Sequence, residues 1–189
     1  FIKPREEAPV GFPETSEEWV DDFLKQKSVL LKRSRYTYSP QGRLEKQQVF
    51  DAEGKEAYTL KWDYDLHGNL ISETNAIGIT TTKKYDLATG NLLNKCTPGI
   101  EIRYLYDFAN RLIEQKEIHN DREFVTSKKF DHLSNCKAII SAYGHETRQL
   151  FDDFGRVIET HHPDIAKDGV LRTPIEKKSY DIAGFPVSI

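Results

Sequence analysis

Hydrophobic and polar positions alternate along most of this chain in short runs that are separated by turn-forming residues. Within residues 102–106, for example, Ile102, Tyr104 and Tyr106 fall on one side of the alternation and Arg103 on the other. A period of two residues is typical of a β-strand whose two faces meet different surroundings. The runs are roughly seven or eight residues long, and the pattern therefore predicts a mainly β protein built as a long antiparallel meander of hairpins.

A short phrase recurs at the ends of these runs. It consists of an aromatic residue, Asp, two or three further residues, Gly or Asn, and usually an apolar residue. Asp65, Asp86, Asp107, Asp131 and Asp152 follow one another at intervals of 21, 21, 24 and 21 residues. Such a period indicates a repeat array whose units cannot bury a core alone. The candidate structural turn residues are Tyr64, Asp65, Gly68, Tyr85, Asp86, Gly90, Tyr106, Asp107, Asn110, Phe130, Asp131, Asn135, Phe151, Asp152, Gly155, Tyr180, Asp181 and Gly184.

The phrase has the chemistry of a tight turn between two antiparallel strands. A carboxylate at the first turn position can accept hydrogen bonds from backbone N–H groups just ahead, and Gly or Asn tolerates the left-handed conformation that closes the turn. Gly90 and Asn135 lie one position later than Gly68 and Gly155, so these two turns are expected to be one residue longer. The flanking aromatic and apolar residues are expected to pack across the mouth of the hairpin.

The phrase Tyr-Asp-x-x-Gly-(Asn/Arg)-Leu at this spacing resembles the YD repeat of the RHS (rearrangement hotspot) family, which includes bacterial polymorphic toxins, toxin-complex shells and teneurins. The resemblance covers residues 34–189 and rests on six copies in register. It implies a curved or spiralling sheet that forms part of a hollow β-shell. Three positions depart from the pattern: Asn110 replaces the turn Gly, Cys136 replaces the following Leu, and Phe185-Pro186 interrupts the last copy.

The resemblance also carries expectations about function. It implies that the chain is a fragment of a larger secreted or bacterial cell-surface protein, and that its partners are the remaining repeats and a toxin or effector domain of the same polypeptide. The self-cleaving aspartyl site of the family is built around Asp-Pro-x-Gly. This sequence has no Asp-Pro pair, so that activity is not carried over.

The sequence predicts three regions. Residues 1–14, which are rich in Pro and Glu, are expected to be an extended or disordered lead-in. Residues 15–33 are expected to be a helix and connection that cap residues 34–189, the hairpin array. That array is expected to have an irregular part at 34–62, a regular part at 63–162, a loop insertion at 163–174 and an incomplete last repeat at 175–189. The irregular part contains weaker copies of the phrase at 38–42 and 50–54.

The helix prediction rests on spacing. Thr15 and Glu18 are placed as a capping box, and Trp19, Val20, Phe23 and Leu24 form an apolar stripe at helical intervals. A helix that covers the first hairpins would protect the end of the array. The alternative is a helix that docks on a partner protein.

Composition narrows the possible functions. A net charge of −3 and a pI near 6.1 argue against a dedicated nucleic-acid binder. The longest apolar run is far below the roughly 18 residues of a membrane-spanning helix. Residues 32–38 interleave basic and aromatic side chains, which indicates a charged strand face, or alternatively a surface for an acidic polysaccharide or nucleic acid. Cys96 and Cys136 are expected to be free thiols.

Candidate chemistry is scarce. The sequence has no Gly-rich phosphate loop, no Gly-x-Ser-x-Gly and no His-Glu-x-x-His. The repeated aspartates are explained as turn formers, so no catalytic, cofactor-binding or metal-binding residue is predicted. His161 and His162 are the nearest approach to a metal site, but neighbouring strand residues point to opposite faces unless the strand bends.

Three functions are therefore open, in this order. The first is a non-catalytic structural segment of an RHS/YD-repeat shell that encapsulates or presents a C-terminal toxin or effector domain. The second is a recognition module whose outer sheet face or 163–174 segment binds carbohydrate or a cell-surface protein. The third is a metal-dependent enzyme that uses His161 and His162. The segment itself carries no targeting signal.

Overall fold

A computed structural model describes residues 11–22 and 26–187, apart from the side chains of Asp22 and Lys167. All regular secondary structure in these ranges is β-strand. The chain divides into two compact units, Phe1–Pro98 and Gly99–Ile189. No helix within the described ranges is long and apolar enough to cross a lipid bilayer.

The first unit is an antiparallel meander in which each strand pairs with the next one along the chain. Its strands are β1 (Thr15–Asp22), β2 (Lys27–Tyr38), β3 (Leu44–Phe50), β4 (Glu56–Tyr64), β5 (Leu70–Thr74), β6 (Thr80–Tyr85) and β7 (Leu92–Thr97). Each turn lies at the end of the strands opposite to the turn before it. The turns at 39–43, 65–69 and 86–91 lie at one end, and those at 51–55 and 75–79 lie at the other. The weaker copy at 50–54 is therefore on the end opposite to the regular copies.

The second unit continues the same type of meander. Its strands are β8 (Ile100–Tyr106), β9 (Leu112–His119), β10 (Arg122–Phe130), β11 (Cys136–Ile140), β12 (Glu146–Phe151), β13 (Val157–His161), β14 (Ile165–Lys167), β15 (Val170–Arg172), β16 (Ile175–Lys177), β17 (Ser179–Tyr180) and β18 (Pro186–Val187). Here the turns at 107–111, 131–135 and 152–156 share one end of the strands. Those at 120–121 and 141–145 lie at the other end.

The segment at 163–174 forms a small hairpin of its own between β13 and β16. Strands β14 and β15 pair with each other, and β13 pairs directly with β16 across the insertion. Asp168 and Gly169 have φ angles of 55° and 74°. Two consecutive positive φ angles are the requirement of the tightest hairpin turn, for which Asp-Gly is a preferred pair. The insertion therefore leaves the pairing of the neighbouring strands intact.

The predicted helix within 15–33 is wrong, whether as a cap or as a partner-docking element, because strands β1 and β2 occupy this region. Glu17 lies opposite Arg33 and Glu18 opposite Lys32, and each pair forms a salt bridge of 2.8 Å. Extended pairing thus satisfies the backbone and matches these charges across the strands, whereas helix spacing is only a weak preference. Trp19 remains 54% exposed. Phe23 and Leu24, the other half of the apolar stripe, lie outside the described residues.

Apolar side chains on these sheets are mostly half-buried. The buried hydrophobic residues in the described ranges are Val49 and Ala138, and no large side chain there is completely buried. Each strand contacts mainly its neighbours in the meander. This arrangement agrees with the polar composition of the chain, whose mean hydropathy is −0.63. The sheets therefore present side chains to solvent on both faces.

Candidate functional site: the aspartate turns

The turn at 65–69 shows what the repeated aspartate does. The Asp65 N–H donates to the carbonyl of Asn69 (3.0 Å), and the Gly68 N–H donates to the carbonyl of Asp65 (3.1 Å). Asp65 Oδ1 accepts hydrogen bonds from the N–H groups of His67 (2.9 Å) and Asn69 (2.8 Å), and Oδ2 accepts from Asn69 Nδ2 (2.9 Å). Both carboxylate oxygens are thus committed to the turn.

Four other turns repeat this geometry. In each, the aspartate Oδ1 accepts from the backbone N–H groups two and four residues ahead, at 2.8–3.1 Å. The aspartates concerned are Asp107, Asp131, Asp152 and Asp181. A side chain that binds two backbone donors ahead of itself fixes the turn without help from the rest of the fold.

The turn at Asp86 departs from this pattern, and the turn at Asp131 departs from the length that its sequence predicts. The turn at Asp86 is one residue longer, as the position of Gly90 predicts, because the Asp86 N–H donates to the carbonyl of Asn91. The turn at Asp131 has the ordinary length, so the prediction of a longer turn there is wrong. Ser134, with φ at 70°, occupies the position that Gly68 and Gly155 hold in their turns, and Asn135 instead donates from Nδ2 to Asp131 Oδ2 (3.0 Å).

In five of the turns the aromatic residue before the aspartate lies at a β-bulge; these residues are Tyr64, Tyr85, Tyr106, Phe130 and Phe151. Tyr64 is opposite Leu70 and Phe151 is opposite Val157, with a one-residue register shift just before each pair. The aromatic and apolar residues thus meet across the mouth of the hairpin. Two of the tyrosines also connect neighbouring repeats. The hydroxyl of Tyr85 donates to the carbonyl of Leu70 (3.1 Å), and that of Tyr180 donates to the carbonyl of Val157 (2.8 Å).

The residue after the turn Gly or Asn forms a second connection between repeats. Arg111 contacts the aspartate of its own turn, with Nε and Nη2 both 2.7 Å from Asp107 Oδ2. Its Nη1 also donates to the carbonyl of Asp131 (3.2 Å) and to Ser134 Oγ (3.0 Å), in the next turn along the same end of the strands. The guanidinium lies 4.8 Å from the centre of the Phe130 ring. One arginine therefore joins two successive turns.

We call the contact of such an arginine with the aromatic ring of the next repeat the forward contact. It occurs in both units. Arg156 Nε lies 2.7 Å from Asp152 Oδ2, and its guanidinium lies 4.6 Å from the centre of the Tyr180 ring. Arg43 lies 5.7 Å from the centre of the Tyr64 ring. The sequence phrase contains this Asn/Arg position, but sequence reasoning assigned it no role. The signal that could have found it is the recurrence of Arg directly after the turn residue and one repeat before an aromatic ring.

The electrostatics of these carboxylates favour their ionised form. The side-chain hydrogen bond from Asn69 lowers the pKa of Asp65, and that from Arg111 lowers the pKa of Asp107. For Asp152, partial burial acts to raise the pKa, but the backbone and side-chain hydrogen bonds from Arg156 outweigh it, and the net shift is downward. A general acid at neutral pH needs a shift in the opposite direction. These groups are suited to accept hydrogen bonds permanently.

The paired histidines contact different carboxylates. His161 Nε2 lies 3.0 Å from Glu159 Oε2, and His162 Nε2 lies 3.8 Å from Glu176 Oε2. Both histidines line an open cleft of about 480 Å³ beside the 163–174 hairpin, together with Arg148. In the part of the chain that the structure describes, no group of three or more His, Cys, Asp or Glu side chains is placed to hold a metal ion.

The remaining candidate residues are separated or already paired. Lys32 and Arg33, in the basic and aromatic stretch, form their salt bridges with strand β1. Arg35 lies over the ring of Phe50, 5.6 Å from its centre. Cys96 is exposed on β7, and both cysteines are free thiols.

Comparison with known proteins gives a likeness of fold. No family model matches the chain, and no curated protein matches it by sequence. Among solved structures, a crystal structure of TcdB2-TccC3-Cdc42 matches 89% of this chain with a TM-score of 0.56 and 13% identity. A crystal structure of TcdB2-TccC3 without its hypervariable C-terminal region matches 90% of this chain, also with a TM-score of 0.56 and 13% identity. A crystal structure of TcdB2-TccC3-TEV matches 88% of this chain with a TM-score of 0.53 and 12% identity.

The chain spans 11% of the length of each of these matching chains. At such low identity the likeness concerns the path of the backbone, and roles of individual residues cannot be transferred. The chain therefore has the antiparallel β-hairpin fold that is found in one part of the TcdB2-TccC3 chains.

Proposed function

We propose that this chain is a non-catalytic wall segment of a larger RHS/YD-repeat protein. Its role is to form part of a β-shell that encapsulates or presents a toxin or effector domain of the same polypeptide. Its partners are the remaining repeats and that domain. It uses no cofactor or metal, and it acts in a secreted or bacterial cell-surface protein.

The observation that carries this proposal is that the repeated aspartates accept hydrogen bonds from the backbone N–H groups of their own turns. In the turn at 65–69, both oxygens of Asp65 accept hydrogen bonds from the turn itself. At 107–111, Asp107 does the same with Arg111, which also reaches the next turn. Groups arranged in this way hold backbone and join repeats.

The exposure of the sheets gives further support. Val49 and Ala138 are the buried apolar residues in the described ranges, so the strands do not surround a large core. Enzymes usually hold their catalytic groups in a concave pocket on a rigid, well-packed scaffold. A thin sheet with neighbours joined through turns is better suited to separate two spaces.

The fold likeness and the sequence resemblance point in the same direction. The structures that share the fold are those of TcdB2-TccC3 complexes. The repeat phrase independently resembles the RHS family, which includes toxin-complex shells. The fold likeness concerns the path of the backbone, whereas the sequence resemblance concerns the spacing of Asp and Gly along the chain.

The test is made on the full polypeptide that contains this segment. Electron cryomicroscopy should show residues 34–187 as a strip in a hollow wall around another part of the chain. Added protease should leave the enclosed part intact. The variant Asp107→Ala/Asp152→Ala should expose that part to the protease, because two turns of the same unit lose their hydrogen bonds.

Asp153→Ala is the matched control, since this exposed neighbour of Asp152 does not provide the turn hydrogen bonds and its loss should leave protection unchanged. A segment that formed a separate globular body outside any wall would contradict the proposal. So would a purified chain that turned over a substrate.

A further inference from the structure

Strand β10 extends beyond its neighbour β11 and leaves one edge without a partner strand. Its residues Ser127–Phe130 pair with β11, and the last of these pairs joins Ser127 to Ile140, just before the turn at 141–145. Arg122–Thr126 continue for five residues, or about 17 Å, beyond that pair, and among the described residues they pair only with β9. We call Arg122–Thr126 the open edge.

The backbone of the open edge presents hydrogen-bonding groups to the side that β11 leaves empty. The Asp131 N–H donates to the carbonyl of Asn135 and thus points to the β11 side. Because successive strand residues direct their N–H and C=O groups to alternate sides, those of Glu123 and Val125 point to that side too. The turn at 120–121 agrees, since its φ angles of 49° and 60° are those of a two-residue turn whose closing residue bonds back to β9. Two N–H donors and two C=O acceptors therefore lack a partner among the described residues.

Two other open edges in the described ranges are protected against strand addition, whereas this one is not. Half of the residues of β1 are acidic, and the part of β2 that extends beyond β3 contains a β-bulge. Charges and bulges are the usual means by which a sheet prevents a further strand from pairing. Phe124, Val125 and Thr126 are uncharged residues that favour strands, and they pair with β9 without a bulge. The nearby Glu123 is already paired with Lys116 (3.0 Å).

We infer that the open edge is the docking site of an extended segment of the same full polypeptide, which pairs with β10 as an added strand. This inference rests on the proposed function, because a wall that separates two spaces must close the gap beside the 141–145 turn. Backbone hydrogen bonds hold an added strand, and its side chains decide which segment fits. The segment therefore has no Pro where it pairs with Glu123 and Val125, and β-branched or aromatic side chains beside Phe124.

The size of the open edge favours a segment of the same polypeptide over a separate molecule. Stable complexes between proteins use roughly 20–30 residues on each side. The five residues of the open edge fall far short of that number. A segment of the same polypeptide binds at a high effective concentration, so a few backbone hydrogen bonds are enough to hold it. A second copy of this chain is the main rival, but antiparallel pairing of two open edges centred on Phe124 places Glu123 opposite Val125 and adds no ion pair.

The experiment is hydrogen–deuterium exchange, resolved to single residues by mass spectrometry, on the 189-residue chain and on the full polypeptide. In the 189-residue chain the amides of Glu123 and Val125 should exchange fast, whereas those of Phe124 and Thr126, which point to β9, should exchange slowly. In the full polypeptide, exchange at Glu123 and Val125 should be slower by about tenfold or more, because the added strand accepts their hydrogen bonds.

A pair of substitutions at one position separates strand addition from folding. Val125→Pro removes an N–H from the open side and leaves the groups that bond to β9 in place. In the full polypeptide it should return exchange at Glu123 to the rate of the 189-residue chain. The matched control Val125→Thr keeps the N–H and the branched Cβ, and should leave exchange at Glu123 within about twofold of wild type. Slow exchange at Thr126 in both variants checks that the β9–β10 hairpin is folded.

The possible failures are distinguishable. Fast exchange at Glu123 and Val125 in a full polypeptide whose wall is visible by electron cryomicroscopy would overturn this inference and leave the proposed function standing. A full polypeptide without a wall would overturn both. Slow exchange in the 189-residue chain that increases with protein concentration would assign the open edge to a second copy instead. Slow exchange there at every concentration would show that the chain covers this edge itself, which also contradicts the inference.

Discussion

Two glycines in equivalent turns allow the contribution of the contact between Arg43 and the Tyr64 ring to stability to be measured. Gly68 and Gly54 have φ angles of 94° and 81°, and in both turns the Gly N–H donates to the carbonyl of the turn aspartate. A Cβ on Gly54 would meet nothing within 4 Å, whereas a Cβ on Gly68 would lie 2.8 Å from Cζ of Arg43. Gly54→Ala therefore measures the backbone strain, and Gly68→Ala measures the strain together with displacement of the arginine.

The expected magnitudes follow from these contacts. A left-handed conformation costs an Ala residue about 1–2 kcal/mol, and this cost is common to both variants. Displaced Arg43 also loses its position over the Tyr64 ring, 5.7 Å from its centre. A cation–π contact at a partly exposed site contributes about 0.5–1 kcal/mol. The hydrogen bond from Arg43 to the Asp65 carbonyl is long, at 3.4 Å, and adds little. Gly68→Ala should thus reduce the free energy of unfolding by about 0.5–1 kcal/mol more than Gly54→Ala.

The assay is urea unfolding of the 189-residue chain followed by far-UV circular dichroism, repeated in an Arg43→Ala background. Removal of the arginine should make the two glycine variants equally destabilising, because only the common backbone strain is left. An extra cost at Gly68 that persists without Arg43 would refute the reasoning, since strain alone would then explain it. Equal costs in the wild-type background would show that the guanidinium moves aside without loss.

Three further predictions concern the aspartate turns of the second unit. Ser134→Gly should raise the free energy of unfolding by up to about 1 kcal/mol in urea melts, because Ser134 is held at a φ of 70°. The control Asn110→Gly should leave the free energy of unfolding nearly unchanged, because Asn tolerates its φ of 59°. Tyr180→Phe should cost about 0.5–1.5 kcal/mol in the same assay through loss of the hydrogen bond to the Val157 carbonyl, and an unchanged midpoint would contradict that role. The pKa of Asp107 is lowered from 3.8 in the folded chain, so its ionised carboxylate stabilises the fold fully above pH 3.8, and this stabilisation is lost as the pH falls through the lower folded pKa. Asp107→Asn should therefore reduce the loss of stability in acid, measured by urea melts at several pH values. A pH profile that the substitution leaves unchanged would contradict this role of Asp107.

The hairpin array could be predicted because its information is local. Asp65 binds N–H groups two and four residues ahead, and Gly68 adopts the conformation that its missing Cβ permits. Each of these relations is contained in five consecutive residues, so the phrase alone is enough to indicate the turn. The runs between turns alternate with a period of two, which indicates strands for the same reason.

Two errors show where local information failed. Residues 15–18 fit a helix cap, but pairing of Glu17 with Arg33 and Glu18 with Lys32 gives a strand instead. That pairing joins residues that are 16 and 14 positions apart, beyond the reach of any helix rule. At 131–135, Ser134 rather than Asn135 takes the positive φ. Asn is the better left-handed residue, but the hydrogen bond from its side chain to Asp131 requires it one position later.

The sequence by itself determined the class of the fold, the position of the turns and their period, because those properties depend on contacts within a few residues. Only the tertiary structure decided which turns share an end of the strands, and hence that Arg111 and Arg156 reach the next repeat. These relations join residues about one repeat apart. They arise from strand pairing, which brings distant segments side by side and which no local pattern specifies.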